Sequence, residues 1–137
     1  MAAIEFSALR PMLLTKDLKG TVDFYINIFG FEIDNYNEEW GWAHISRDNV
    51  SIMFARPNEE SAFTEPKFTG SFYINTEAVD EIWEALKDKI NVCYPIDNFN
   101  HGMREFGVFD NNGYIIQFGK EIDLEQLARE QAENNEQ

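Results

Sequence analysis

The sequence is poor in cysteine and in basic residues, and each shortage excludes a class of protein. Cys93 is the only cysteine among 137 residues, so neither an internal disulfide nor a cysteine-based zinc site can form within one chain. The 11 Lys and Arg residues are opposed by 25 Asp and Glu, which gives a net charge of −14. Nucleic acids and anionic membranes bind clustered basic side chains, so we expect neither as a partner.

Long hydrophobic runs are missing as well. No apolar stretch approaches the roughly 20 residues that span a bilayer. The N-terminus lacks the basic region followed by an apolar region that marks a secretory signal. We therefore expect a cytoplasmic protein with no membrane partner, in which Cys93 is a buried and inert thiol of a strand.

What the chain has is a composition that is 44% hydrophobic and 15% aromatic, enough for the core of one domain over residues 1–137. Apolar residues at helical spacing predict helices over residues 17–29 and 77–90, with Asp17 and Thr76 as N-caps and Gly30 ending the first helix. A short strand precedes each helix, and a strand and a hairpin follow it.

This order, βαβββ, occurs twice. The sequence therefore predicts an α+β fold of two tandem βαβββ modules that form a cupped mixed sheet with helices on its outer face. The predicted boundaries are a first module (5–56), a polar linker (57–67), a second module (68–120) and a charged tail (121–137).

Alternation along the strands assigns one face of the predicted sheet to the helices and leaves a second face. The second face is predicted to combine aromatic, sulfur-containing, basic and small polar side chains: Arg10, Trp40, Trp42, His44, Met53, Ser71, Tyr73, Asn75, Arg104, Phe106 and Gln117. A solvated face would be richer in Lys, Glu and Thr. A ligand site and a subunit interface both fit this mixture, and the residues alone leave the two open.

Two segments resemble motifs of the vicinal oxygen chelate superfamily, which includes glyoxalase I, extradiol dioxygenases and the fosfomycin- and bleomycin-resistance proteins. KDLKGTVDFYINIFGFEI resembles the family pattern D-L-x-x-S-x-x-F-Y-x-x-x-L-G-F, and FDNNGYIIQF resembles D-P-D-G-x-x-x-E-L. The resemblance covers roughly residues 6–120. It implies the repeated βαβββ fold, whereas the superfamily as a whole carries out many different reactions.

Metal-dependent members hold their ion with four strand residues, which the resemblance places at Arg10, Met53, Ser71 and Gln117. Only Gln117 is a residue type that the family uses as a ligand. Arginine has no acceptor atom, and a thioether suits hard divalent metals poorly. We therefore expect no metal, no cofactor and no catalytic residue. Neither histidine, His44 or His101, lies at a ligand position.

The segment EEWGWAHISRDNVSIMFARP resembles the bleomycin-resistance type, whose members are metal-free homodimers that bind a planar cationic antibiotic by aromatic stacking. The resemblance thus implies a small-molecule binding protein with a planar or aromatic ligand, such as an antibiotic, in a cleft between subunits. Arg10 and Arg104 fit a cationic ligand poorly and would suit a carboxylate or phosphate better.

Two other functions stay open at this point. One is a metal-dependent lyase or oxidoreductase of the glyoxalase or dioxygenase kind, with an atypical site. The other is an interaction dimer whose second face is filled by its partner. Pro11 matches a proline with which some members pass the first strand to a partner, so side-by-side and strand-exchanged dimers are both open.

Overall fold

The computed structural model describes residues 4–58, 64–67 and 70–135 and has an α+β fold. The chain divides into two compact units, Met1–Pro66 and Lys67–Gln137. Each unit forms its own four-stranded mixed sheet with the predicted order βαβββ. Within the described part of the chain, no helix has the length and apolar character needed to cross a membrane.

Unit 1 contains one helix and four strands: β1 (Met12–Leu14), α1 (Leu18–Phe29), β2 (Glu32–Asn37), β3 (Trp42–Arg47) and β4 (Val50–Ala55). Its sheet has the order β1-β4-β3-β2. β1 runs parallel to β4, and the other neighbours are antiparallel. The crossover from β1 to β4 passes through α1, so the helix covers one face of the sheet.

Helix α1 begins and ends where the sequence predicts. The Asp17 side chain accepts a hydrogen bond from the backbone N–H of Gly20 at 3.0 Å, which satisfies one of the unpaired donors of the first turn. Gly30 ends the helix in the left-handed region, with φ of 72°. The apolar stripe of α1 packs on the sheet, and the ring of Tyr25 lies 5.0 Å from that of Phe54 on β4.

Unit 2 repeats the arrangement and adds a third helix: β5 (Phe72–Asn75), α2 (Val79–Leu86), β6 (Asn91–Phe99), β7 (Met103–Phe109), β8 (Ile115–Glu121) and α3 (Leu124–Asn135). Its sheet has the order β5-β8-β7-β6, with β5 parallel to β8. α2 is shorter than the predicted span of 77–90. Its N-cap is Ala78, and the Thr76 hydroxyl accepts from the Ala78 N–H at 3.2 Å in the turn before it.

The expectation that Cys93 is buried was wrong, because its side chain is exposed. Cys93 lies on β6 at a register shift, where Val92 pairs with Val108 and Tyr94 pairs with Gly107. β6 is also an edge strand of its sheet. A residue at such a bulge has no direct partner on the neighbouring strand, so strand alternation does not carry it inward.

The helix-facing side of each sheet forms the core of its unit. In unit 1 it consists of Leu13, Ala43, Ile45, Ile52 and Phe54, and in unit 2 of Phe106, Val108, Ile116 and Phe118. The predicted face is correct for strands β3, β4 and β8. It is wrong for β7, where the predicted and observed faces are interchanged.

Candidate functional site

The face of each sheet that lies opposite its helix is called here the helix-distal face. In unit 2 the strand register defines it, since residues that pair directly across antiparallel or parallel strands share a face. Gln117 pairs with Tyr73 on β5 and with Gly107 on β7, and Gly107 pairs with Tyr94 on β6. Glu105 and Asn75 both pair with Gly119. These residues form the helix-distal face of unit 2.

Arg104 and Phe106 do not belong to this face, which corrects the sequence-based expectation. Phe106 pairs with Phe118, is fully buried, and stacks on it at 5.3 Å. It also lies 5.2 Å from the ring of Trp83 on α2. Arg104 points the same way, and its guanidinium contacts the carboxylate of Asp80 on α2 at 2.7 Å. Both side chains therefore anchor the helix to the sheet.

Because the side chains of β7 face opposite to the prediction, the charge that β7 contributes to the helix-distal face is negative instead of positive. With Arg104 on the helix side, the ionisable residue that β7 presents opposite Gly119 is Glu105. The predicted arginine clamp for a carboxylate or phosphate thus loses one of its two members. A carboxylate takes the place of a guanidinium.

Gln117 is held by a chain of hydrogen bonds across three strands. The hydroxyl of Ser71, just before β5, donates to the Gln117 side-chain oxygen. The Gln117 side-chain nitrogen donates to the phenol oxygen of Tyr94 on β6 at 2.8 Å. Because both ends of the amide have partners, its orientation is set by the network. The phenol of Tyr94 accepts this bond and keeps its own hydrogen for donation.

Glu105 is the centre of a second group. Its side chain is 7% exposed, and one carboxylate oxygen lies 3.0 Å from Nε2 of His101 in the β6–β7 turn. The other oxygen, Oε2, is buried without a hydrogen-bond partner. Such an atom carries an uncompensated desolvation cost, and buried polar groups in native proteins rarely lack a partner.

Two tyrosines stand beside this carboxylate. Burial raises the pKa of Tyr73 far above its ordinary value, and a hydrogen bond to Glu105 and its negative charge act in the same direction. Burial also raises the pKa of Tyr94, with a smaller contribution from the charge of Glu105, while the Gln117 hydrogen bond opposes it. Both phenols therefore stay protonated at neutral pH and act as hydrogen-bond donors.

Glycines make room for both tyrosines. A Cβ on Gly107 would lie 2.5 Å from the ring of Tyr94, and a Cβ on Gly119 would lie 1.9 Å from the hydroxyl of Tyr73. The rings thus lie against the sheet where side chains are absent. Aromatic surface continues beyond them, since the Tyr94 ring meets Phe99 edge-on at 5.6 Å and Phe99 stacks on His101 at 5.7 Å.

The predicted site residues of unit 1 fall into two groups. Trp42, His44 and Met53 lie on its helix-distal face, where His44 pairs with Met53 and the rings of Trp42 and His44 are 6.5 Å apart. The sequence predicted Trp40 to lie in a strand, and this was wrong. Trp40 lies in the turn before β3, with 80% of its surface exposed. Arg10 precedes β1 and is exposed.

His44 belongs to a small polar cluster that sequence reasoning missed. Its Nε2 lies 2.5 Å from the hydroxyl of Ser51 and 3.6 Å from a carboxylate oxygen of Asp34. A serine–histidine–aspartate triad uses the two opposite ring nitrogens for these contacts. Here one nitrogen makes both, so the cluster does not have the geometry of a nucleophilic site.

The residues at the four ligand positions of metal-dependent relatives do not fit a divalent metal. Arg10 offers no acceptor, and Met53 offers only a thioether. The Gln117 oxygen is already the acceptor for Ser71. Among the described residues, no group of three or more His, Cys, Asp or Glu side chains is arranged to hold an ion.

Sequence reasoning missed Glu105, Tyr94 and His101, yet a signal for the first was present. Ala43 and Ile45 on β3 correspond to Phe106 and Val108, which follow them by 63 residues in both cases. Since the β3 pair faces the helix, the same register in the second module leaves Glu105 and Gly107 for the opposite face. Tyr94 and His101 had no comparable signal, because β6 contains register shifts and His101 lies in a turn.

Solved structures confirm the fold. The chain resembles TioX from Micromonospora sp. ML1, with 18% identity, a TM-score of 0.67 and coverage of 85% of this chain and 100% of that one. A glyoxalase/bleomycin resistance protein/dioxygenase from Nocardioides has 15% identity and a TM-score of 0.70, with 90% and 88% of the two chains covered. Lactoylglutathione lyase from Agrobacterium tumefaciens has 17% identity and a TM-score of 0.64, with 83% and 92% covered.

At these identities the likeness concerns the fold alone. No curated protein matches the sequence. A family model does, and it spans residues 8–118, which is most of the chain. The repeated βαβββ units and this match show that the protein belongs to the glyoxalase/bleomycin resistance protein/dioxygenase superfamily.

Proposed function

We propose that the protein binds a planar or aromatic small molecule without the help of a metal, and that the helix-distal face of unit 2 carries the main contacts. The observation that supports this best is the pair of polar groups on that face, Ser71–Gln117–Tyr94 and Tyr73–Glu105–His101. Superfamily members commonly bind small ligands.

The arrangement suits a ligand with an aromatic body and polar substituents. Tyr94, Phe99 and His101 offer ring surface, and aromatic side chains with a few fixed polar groups are typical of small-molecule sites. Gln117 and the two phenols supply directional hydrogen bonds. The Glu105 carboxylate and the net charge of −14 favour a neutral or cationic ligand over an anion.

Metal independence is part of this proposal and rests on the chemistry of Arg10 and Met53. The alternative, a metal-dependent lyase or oxidoreductase of the glyoxalase or dioxygenase kind, has no matching set of donors among the described residues. Elemental analysis of protein purified without chelator separates the two. Stoichiometric zinc, nickel, manganese or iron would favour the alternative.

We further propose a homodimer, as is common in the superfamily, with the ligand cleft between subunits. Ile4, Phe6 and Leu9 lie ahead of β1 and are 93%, 97% and 91% exposed. A run of apolar side chains with so little cover suits a contact with a second copy. A cytoplasmic location completes the proposal, since the exposed free thiol of Cys93 fits a reducing compartment.

The binding proposal is tested with a panel of planar aromatic compounds, using thermal shift first and calorimetry for any hit. A ligand present at 100 times its Kd stabilises the protein by about 2.7 kcal/mol. Gln117→Ala removes the amide that orients Ser71 and Tyr94 and that is proposed to bind the ligand. The loss of one ligand hydrogen bond of about 1 kcal/mol should weaken binding about fivefold. Gln131→Ala, on an exposed part of α3, is the matched control and should bind like the wild type.

Two results would contradict the proposal. One is a panel without any thermal shift. The other is a hit that Gln117→Ala and Gln131→Ala bind equally well, which would place the ligand elsewhere on the protein.

A further inference from the structure

We propose that unit 1 binds a soft monovalent metal ion, Cu(I), on the helix-distal face of its sheet, with Met12, Met53 and His44 as ligands. The site belongs to unit 1, so it does not depend on the binding function proposed for unit 2. Only Met53 stands at one of the four family metal positions. The ion also differs in kind from the hard divalent metals that a thioether suits poorly.

The strand register places the three side chains in one row across the sheet. Met12 on β1 pairs with Met53 on β4, and Met53 pairs with His44 on β3. Directly paired residues point to the same face, and neighbouring strands lie about 4.8 Å apart. Because methionine side chains are long and flexible, both sulfur atoms can meet the imidazole above the central strand of this row.

The imidazole of His44 is held as the imidazoles of metal-binding histidines are. Its Nε2 lies 2.5 Å from the hydroxyl of Ser51 and 3.6 Å from a carboxylate oxygen of Asp34. The negative carboxylate favours a hydrogen on Nε2, which leaves the lone pair on Nδ1 as the atom that can bind an ion. Ligating histidines almost always have such an oxygen partner on their other nitrogen. The cluster that does not fit a nucleophile therefore fits a metal ligand.

The donor atoms of these three residues select the ion. Two thioether sulfurs and one imidazole nitrogen favour Cu(I), whereas magnesium, manganese and calcium prefer carboxylate and carbonyl oxygens. Zinc sites are built from thiolate, imidazole and carboxylate groups, and thioethers are not among their usual ligands. The set therefore fits Cu(I), and it also fits Ag(I), which has similar chemistry and keeps one oxidation state. The net charge of −14 attracts either cation.

The row of ligands is open at one end and has an aromatic neighbour. Met12 is 57% exposed, whereas the His44 side chain is only 14% exposed, so an ion can enter past the methionine. Trp42 lies on the same face of β3, and its ring is 6.5 Å from that of His44. An aromatic ring attracts a nearby cation. The indole also reports the arrival of the ion by a loss of its fluorescence.

Ag(I) is the probe for a calorimetric titration in chloride-free buffer. The exposed thiol of Cys93 also binds soft ions, so every measurement uses the full chain with Cys93→Ser. This parent protein should bind one Ag(I) per chain. Met12→Leu and Met53→Leu keep the volume and apolar character of the side chain but remove the sulfur. Each should weaken binding about 100-fold, since even a partner outside the ligand shell contributes about 10- to 100-fold in affinity.

Three further variants complete the test. Met103→Leu is the matched control, because this methionine lies on β7 in unit 2, and it should bind Ag(I) like the parent protein. His44→Gln keeps an amide beside Ser51 but removes the imidazole, so it should bind about 100-fold more weakly. Trp42→Phe should keep the calorimetric affinity within a few-fold, because an aromatic ring remains, but lose most of the fluorescence quenching.

The outcomes decide between a metal site and a sheet face that is merely apolar. Binding that is lost in Met12→Leu and Met53→Leu but kept in Met103→Leu supports the site. A parent protein that binds no Ag(I), or variants that all bind it equally well, overturns it. Competition for Cu(I) with bathocuproine disulfonate under reducing conditions should rank the variants in the same order. Neither outcome bears on the aromatic ligand of unit 2, whose test uses Gln117→Ala.

Discussion

At the scale of single residues, two glycines decide where the tyrosines of the helix-distal face lie. Gly107 and Gly119 leave gaps that the side chains of Tyr94 and Tyr73 fill. The phenols are thereby brought down onto the sheet beside Glu105. The high pKa of Tyr73 is a direct result, because burial is its largest cause.

Gly119→Ala should release Tyr73 from this position. The new methyl group would lie 1.9 Å from the phenol oxygen, which is much less than any contact distance, so the mobile side chain moves out. Its pKa should then fall towards the ordinary value of about 10. An ultraviolet titration of tyrosinate measures this. Gly107→Ala is the comparison, since it should disturb the titration of Tyr94 instead.

The two phenols also make the protein sensitive to alkali. The pKa of Tyr73 and that of Tyr94 are higher in the folded than in the unfolded chain. The stability they provide is therefore complete below about pH 10, the unfolded value, and is lost as the pH rises through the folded value. Urea unfolding between pH 8 and about pH 11 should show the decline. Tyr73→Phe should make the free energy of unfolding fall less steeply with pH. An unchanged slope would show that Tyr73 is not a cause of the decline.

The role of Gln117 could be predicted from the sequence only in part. Alternation along β8 placed it on the helix-distal face, as a polar residue between the buried Ile116 and Phe118, and the register confirms this. Its partners could not be predicted. Tyr94 reaches it from β6, a strand whose register shifts twice, and no local pattern encodes such a contact.

At the scale of the elements, α2 is attached to its sheet by an ion pair that the sequence did not indicate. Arg104 on β7 contacts Asp80 through Nε at 3.0 Å and through Nη2 at 2.7 Å, and it donates to Asn98 on β6 at 3.0 Å. One guanidinium thus links a helix and two strands. The face of β7 follows from this contact as much as from the burial of Phe106.

Asp80→Asn should weaken the attachment of α2. The hydrogen bond from Arg104 is the largest cause of the lowered pKa of Asp80. The stabilisation is therefore present above the ordinary aspartate pKa of about 3.9 and is lost as the pH falls through the folded value. Because the Asp80 side chain is half exposed, we expect about 1 kcal/mol or less in chemical denaturation at neutral pH.

The control for this prediction is Asp23→Asn, which breaks the exposed pair of Asp23 with Lys19 on α1. It should cost less than Asp80→Asn. The difference between Asp80→Asn and the wild type should also shrink in acid. A constant difference from neutral pH down to about pH 3 would show that the charge of Asp80 is not the cause.

The strands and helices show which sequence signals are reliable. Helix α1 was predicted correctly at both ends, because Asp17 and Gly30 act through local hydrogen bonds and backbone preference. Strands β3, β4 and β8 were assigned to the correct faces because apolar and polar residues alternate in them. Strand β7 was assigned to the wrong faces. Its neighbouring residues Arg104 and Glu105 are both charged, so the sequence pattern does not show which of them faces the helix, and only their contacts with other elements do.

At the scale of the whole molecule, the first described residues stand out by their exposure. Ile4, Phe6 and Leu9 show more than nine-tenths of their surface in the single chain. The fold of either unit therefore does not account for them. Exposing these apolar side chains to water is unfavourable in free energy, and this cost is removed only when they contact another apolar surface.

The chain should be a dimer at micromolar concentration, as measured by light scattering. Phe6→Ser combined with Leu9→Ser should shift it towards monomer, because both side chains would be buried only in the assembly. Glu5→Ser, in the same segment, should leave the dimer intact. A wild-type monomer would contradict the proposed assembly and with it the cleft between subunits, but not the fold of either unit.

The turn that joins β7 to β8 has a consequence for how the protein ages. An asparagine followed by glycine, here Asn112 and Gly113, loses its side-chain amide when the glycine nitrogen attacks it. In this turn the Gly113 N–H is engaged by the side chain of Asp110 at 2.9 Å, and the same oxygen also binds the N–H groups of Asn112 and Tyr114. Because the buried side chain of Asp110 holds this N–H, we expect Asn112 to lose its amide more slowly in the folded protein than in the unfolded chain, which mass spectrometry of stored samples measures.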